Sequence, residues 1–143
     1  FSKKLFLNTQ INSANIGYHS LNKFKKINFL IINETELRHE LRNKHSTIEK
    51  LSKILTKKFE IKHLIITRGY RDVILSSRGN ITTFKVKKVN PTDVTGASDT
   101  FISTLSIYLK RNYSLSESIN KSIIASRVVI QKRYTSFVKK NEI

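Results

Sequence analysis

Runs with strand spacing alternate with runs of helical spacing along almost the whole of this chain, and a chain patterned that way has few ways to bury its apolar faces. The strand-like runs are Leu5 to Gln10, Phe29 to Ile32, and three within residues 63–89, HLIITRGYRDVILSSRGNITTFKVKKV, separated by Arg68 to Arg71 and by Ser77 to Asn80. Helical spacing covers Ser13 to Phe24, Glu34 to Arg42, Thr47 to Lys57, Asp99 to Lys110 and a last helix that breaks near Arg133. This alternation predicts an α/β sheet carrying helices, with the 63–89 strands closing one edge. The stretch SSRGNI reads as a hairpin with a Gly-Asn signal. Neither a repeat nor a low-complexity linker divides the chain, and its 143 residues are enough for one domain.

The stretch that carries most chemistry is DVTGASDTF, Asp93 to Phe101. Two carboxylates bracket a small-residue turn that opens a helix with apolar spacing at Phe101, Leu105, Ile107 and Tyr108. A helix start leaves its first N–H groups unpaired and carries partial positive charge, so its backbone alone can hold an anion. Gly96 and Ala97 allow close approach of a ligand. Asp99 then has two readings, a cap on the helix or a base facing a phosphate. A second stretch, NFLIINETEL at residues 28–37, runs from a buried strand into a helix, with Asn33 and Glu36 in N-x-x-E spacing. On spacing alone the pair reads first as a capping box, and second as a polar pair presented to a ligand.

DVTGASDTF closely resembles DTTGAGDTF, the signature of the ribokinase-like sugar kinases of the PfkB family. The resemblance implies that Asp99 is the catalytic base and that the backbone N–H groups of Gly96, Ala97 and Ser98 form an anion hole for the transferred phosphoryl group. Val94 stands where the family has Thr, and Ser98 where it has its second Gly. A positive φ at Ser98 would cost roughly 1 kcal/mol or more. ITRGYRDV resembles the family segment VTLGSRGV, which implies that Thr67 and Gly69 line the nucleotide phosphates. Asp72 takes the place of that segment's second Gly, where an inward-pointing carboxylate would repel a triphosphate. By the same resemblance Asn33 and Glu36 help hold magnesium through its waters. The tail SIIASRVVIQKRYTSF resembles the closing AAAxxVxKxGT segment, with Tyr134 in place of Gly. That segment borders the adenine pocket and a monovalent-cation site, for which Asp93 and Thr95 are the candidate ligands, with K+ the candidate ion. Residues 5–40, LFLNTQINSANIGYHSLNKFKKINFLIINETELRHE, are most similar to a branch near the bacterial heptose-phosphate kinases.

The fold this implies is the ribokinase-like three-layer α/β/α architecture. A complete kinase of the family is about twice as long as this chain. Residues 1–143 would therefore be its C-terminal nucleotide-binding half, with the sugar-binding half and lid upstream of Phe1. The implied reaction is ATP-dependent phosphorylation of a hydroxyl on a sugar or sugar phosphate, with magnesium, in the cytoplasm. A homodimer is the candidate assembly of the full-length form. The isolated half would lack turnover.

Two other classes compete. Ser98, Asp72 and the absent half are what an inactive relic kept for an interaction would show. Net charge is +17, from 27 Lys and Arg against 10 Asp and Glu, the footprint of a nucleic-acid binder. Yet such a module concentrates its cations on one helix or groove and interleaves stacking aromatics. Here the lysines scatter, and pairs such as Lys25-Lys26 and Lys57-Lys58 fall at helix ends, where they complement the dipole. The basicity therefore reads as composition, with no specific nucleic-acid partner. Cysteine is absent, which excludes disulfides and thiolate metal sites. His19, His39, His45 and His63 lack ligand spacing and read as surface or helix-flank residues. No apolar run approaches the ~20 residues that span a bilayer, so no membrane partner is expected.

Overall fold

The structure is a computed structural model and describes residues 5–8, 21–133 and 136–143. The chain forms two compact units, one up to Lys85 and one from Val86 to Ile143. In the first, five strands form a mixed sheet in sequence order: β1 (Phe6–Asn8), β2 (Phe29–Asn33), β3 (His63–Thr67), β4 (Asp72–Ser77) and β5 (Asn80–Lys85). Strands β1, β2 and β3 run parallel, and β4 and β5 continue antiparallel. Parallel neighbours need a long crossover, whereas antiparallel ones need only a tight turn. Accordingly α1 (Glu34–Glu40) and α2 (Ile48–Phe59) lie between β2 and β3, and the 63–89 region supplies the two hairpins.

The central strands are apolar along nearly their whole length because both faces are covered. Leu30, Ile32, Leu64, Ile66 and Ile74 form one core with Leu37 of α1 and with Ile48, Leu51, Leu55 and Phe59 of α2. Ile31, Ile65, Val73 and Leu75 alternate with them along the strands and are buried too. Such continuous burial is the pattern of a sheet covered on both sides. At the amino ends of the strands Phe6 stacks on Phe29 at 4.5 Å, and Phe29 on His63 at 4.7 Å. His63 is thus a strand residue with its Nδ1 2.8 Å from Ser77 Oγ, and not the helix-flank residue its spacing suggested.

Several boundaries move for local reasons. α1 stops at Glu40, two residues short of the expected Arg42, because Arg42 adopts φ +48 and the Asn43 N–H turns back to Arg38 O. α2 starts after Thr47, whose hydroxyl caps Lys50 N–H, and runs to Phe59 before a left-handed Glu60. The β4–β5 turn is not centred on Gly-Asn: Arg78 and Gly79, both at positive φ, occupy its two central positions, and Asn80 already pairs with Ser77. Two positive φ values match the twist of the flanking strands. Residues 9 and 10 of the first expected strand, 13–20 of the first expected helix, Tyr134 and His19 lie outside the described residues. Of that helix only a 3-10 turn at Leu21–Lys23 is described.

In the second unit α3 (Ala97–Lys110) and α4 (Leu115–Ile130) pack as a helical hairpin burying Phe101, Leu105, Ile119, Ile123 and Val129. Ser114 opens α4 with a capping box to Glu117. Ser118 and Ser122 are fully buried on α4, each hydroxyl donating to the carbonyl four residues back. Among the described residues no helix is long and apolar enough to cross a membrane.

Candidate active site

Four of the expected site residues belong to the first unit, at the carboxyl ends of adjacent parallel strands. Asn33 ends β2 and Thr67 ends β3, and the two are Cα partners in the ladder. Ligands of open α/β sheets bind at this end of the strands. Asn33 and Glu36 form the capping box: Glu36 N–H donates to Asn33 Oδ1 at 2.8 Å, and Asn33 N–H to Glu36 Oε2 at 2.9 Å. The box does not exhaust the pair, since each of these oxygens has a second lone pair. It fixes two oxygen-bearing side chains at the strand end, the donor type a hard cation such as magnesium takes. Gly69 sits in the turn after β3 at φ +63, a conformation that suits glycine. Arg68 N–H bonds to Asp72 O across that turn.

Charged residues that sequence reasoning left unassigned surround this turn. Glu34, the first residue of α1, accepts from Arg38 Nη2 at 2.8 Å, Arg68 Nε at 2.9 Å and Arg71 Nη2 at 2.7 Å. Arg68 Nη1 also lies 3.0 and 3.1 Å from the two Asp72 carboxylate oxygens. The Asp72 carboxylate is therefore matched by a guanidinium. Burial pushes the Glu34 carboxyl up, but hydrogen bonds from Arg68 and Arg38 and the charges of Arg68 and Arg71 outweigh it and hold the group below the ordinary glutamate value. Only the Glu34–Arg38 contact, four residues apart on a helix, had a signal in the sequence. A cavity along α1, lined by Thr35, Arg38, His39, Arg42 and the 43–45 segment, contains none of the expected site residues.

The other six residues belong to the second unit, in the loop that opens α3. Gly96 is the N-cap at φ +78 and ψ 0, so the helix begins at Ala97 and not at Asp99. This corrects the capping alternative, because Asp99 is the third residue of the helix, with its side chain exposed. There its charge complements the helix dipole. Ser98 lies in the first turn and is not among the residues of positive φ, so the strain expected of a Gly to Ser change is absent. The N–H groups of this turn have no acceptor within the helix. That of Ala97 reaches back to Val94 O at 3.3 Å, a long and weak bond.

Helix α4 fixes the loop from both sides. Thr92 and Asp93 N–H groups donate to Ile130 O at 2.7 and 3.2 Å, and Ser126 Oγ donates to Ala97 O at 3.0 Å. Asp93 Oδ1 accepts from Thr95 N–H at 2.9 Å. Hydrogen bonds from the Thr95 backbone and hydroxyl hold the Asp93 carboxyl below its ordinary range, so it is anionic at neutral pH. An anionic carboxylate next to a threonine suits a cation, and a helix start with open N–H groups suits a phosphate.

The model of the pfkB family carbohydrate kinases matches residues 6–141. The bifunctional protein HldE of Helicobacter pylori (strain ATCC 700392 / 26695) is 27% identical over 124 residues, covering 85% of this chain and 27% of that protein. The crystal structure of ribokinase from Thermotoga maritima superposes with a TM-score of 0.83 at 19% identity, covering 99% of this chain and 48% of the other. Arabidopsis thaliana ribokinase complexed with ribose and ATP superposes with a TM-score of 0.67 at 24% identity, covering 76% and 36%. The fold is therefore the ribokinase-like α/β fold, and the chain spans about half the length of the Thermotoga ribokinase and about a quarter of that of the HldE protein.

Proposed function

The chain belongs to the pfkB family of carbohydrate kinases, and from that premise we propose that it is the C-terminal, nucleotide-binding half of an ATP-dependent sugar kinase. The observation that carries the proposal is the start of α3: a left-handed Gly96 turns the backbone into a 14-residue helix whose third residue is an exposed carboxylate. Asp99 takes the proton from a hydroxyl of a sugar or sugar phosphate as that oxygen attacks the γ phosphorus of ATP, while the bond to the β,γ-bridging oxygen breaks and ADP leaves. The N–H groups from Gly96 to Asp99 meet the charge that gathers on the transferred group, where positioning and electrostatics supply most of the acceleration. Thr67 and Gly69 line the nucleotide phosphates.

Asn33 and Glu36 would hold magnesium, whose charge when bound would offset that of the phosphates. Asp93 and Thr95 are the ligands of a monovalent cation such as K+. The sugar-binding half and the lid come from residues outside this chain, and a homodimer is the assembly of the whole protein. The similarity of residues 5–40 to the branch near the heptose-phosphate kinases makes a heptose phosphate the first candidate among the sugar substrates.

The test is Asp99→Asn in the whole polypeptide that carries these residues. Asn keeps the size of Asp and an acceptor oxygen, so the loss of charge beside the helix dipole should cost about 0.3–1 kcal/mol. Turnover should fall roughly a hundredfold or more while nucleotide affinity stays near that of the parent. Near-normal turnover in the variant would remove Asp99 from the chemistry.

A further inference from the structure

Glu34 joins the two segments that meet at the strand ends. It is the first residue of α1, directly after Asn33 and two before Glu36, and its side chain is only 14% exposed. Arg68 and Arg71, which it binds, flank Gly69 in the turn that follows Thr67. Asp72 closes the turn from the other side through Arg68. Two members of this set, Arg68 and Asp72, stand where the segment VTLGSRGV has Leu and Gly, and Arg71 stands where it has Arg. Without these contacts, the turn is tied by its own backbone bonds, Arg68 N–H to Asp72 O and Arg71 N–H to Arg68 O at 3.3 Å.

We infer that Glu34 is a positioning residue that clamps the Arg68–Asp72 turn onto the start of α1, so that the phosphate-lining backbone at Gly69 and the Asn33–Glu36 pair are held as one platform for magnesium-bound nucleotide. The carboxylate is suited to the task because one oxygen serves Arg38 within its own helix while the other serves both turn arginines. Arg38 in turn donates to the carbonyls of Lys44 and Ser46, which anchors the near end of the clamp to the α1–α2 connection. A carboxylate–guanidinium contact with both partners mostly shielded is orienting as well as attractive.

This inference rests on the nucleotide-binding reading above, and two measurements on the whole polypeptide separate them. Hydrogen exchange of the Gly69–Asp72 amides, without ligand, reads the clamp alone. Titration with MgATP reads its consequence. Glu34→Gln should accelerate exchange at the turn about tenfold, with β3 and α2 protection near wild type, and should raise the MgATP dissociation constant about tenfold. Arg71→Gln, which removes only a half-exposed partner, should do the same a few-fold, and Glu34→Asp should fall between wild type and Glu34→Gln. Leu51→Ala is the control for mere destabilisation and should lower overall stability while leaving MgATP affinity unchanged. Wild-type exchange at the turn in Glu34→Gln, or accelerated exchange with unchanged affinity, overturns the inference. A parent protein with a protected turn that binds no MgATP overturns the nucleotide reading instead, and with it the purpose assigned to the clamp.

Discussion

Gly96→Ala is the substitution whose magnitude follows most directly from the geometry. A Cβ placed on Gly96 meets no atom within 4 Å, so no packing clash contributes. What remains is the backbone: φ is +78, and an L-residue held in the left-handed region costs roughly 1–2 kcal/mol. Alanine also stiffens the unfolded chain, which returns about 0.4–1 kcal/mol. The net expectation is a loss between about 0 and 1.6 kcal/mol, centred near 1 kcal/mol. Two residues on, the expectation reverses. Ser98 lies in the helix at ordinary φ, so restoring the family's glycine there should relieve nothing and should weaken the helix by up to about 0.5 kcal/mol. Urea unfolding followed by circular dichroism reads both, since the chain has no tryptophan. Local exchange of the α3 amides assigns any loss to that helix. A Gly96→Ala variant clearly more stable than the parent, or a Ser98→Gly variant more stable than it, would refute the assigned backbone. A loss of several kcal/mol at Gly96 would mean the added carbon meets packed atoms.

Two further outcomes are expected. The Glu34 carboxyl is depressed below 4.5 in the folded chain, so its contribution to stability is fully present above that value and is lost as pH falls through the folded pKa. Acid titration of stability should therefore show a steeper loss below about pH 4.5 in the parent than in Glu34→Gln, and parallel curves would contradict it. If the +17 charge is compositional, binding to a labelled DNA duplex or single strand should ignore sequence and collapse as salt rises; tight, sequence-selective binding at physiological salt would restore the nucleic-acid reading.

Much of this was legible because the relevant information is local. Apolar runs and their spacing locate β2, β3, β4 and the two long helices to within a few residues, and N-x-x-E is by itself a capping signal that the structure realises at Asn33 and Glu36. The start of α3 was misplaced by two residues because Asp is the better capping residue in general, whereas here the left-handed turn at Gly96 begins the helix earlier. The shift matters to the chemistry, since it turns Asp99 from a cap into a first-turn side chain. The Glu34 cluster was hidden for a different reason. Its partners are 34 and 37 residues apart, and only the parallel pairing of β2 with β3 brings the residue after one strand near the turn after the other. His63 escaped in the same way, since its neighbours Phe29 and Ser77 come from the strands on either side.

The attachment of the 92–97 loop to α4 has a consequence for how this stretch can vary in length. One end is held by the Ile130 carbonyl and the other by the Ser126 hydroxyl, which lie one helical turn apart on a single helix. The span between the two anchors is thus set by the rise of α4, and the five residues from Asp93 to Ala97 have to bridge it with one left-handed step at Gly96. Side chains here can be exchanged, as Val94 and Ser98 already are relative to the family signature, but an inserted or deleted residue has nowhere to be absorbed. Across variants of this protein the stretch should drift in letters while keeping its count.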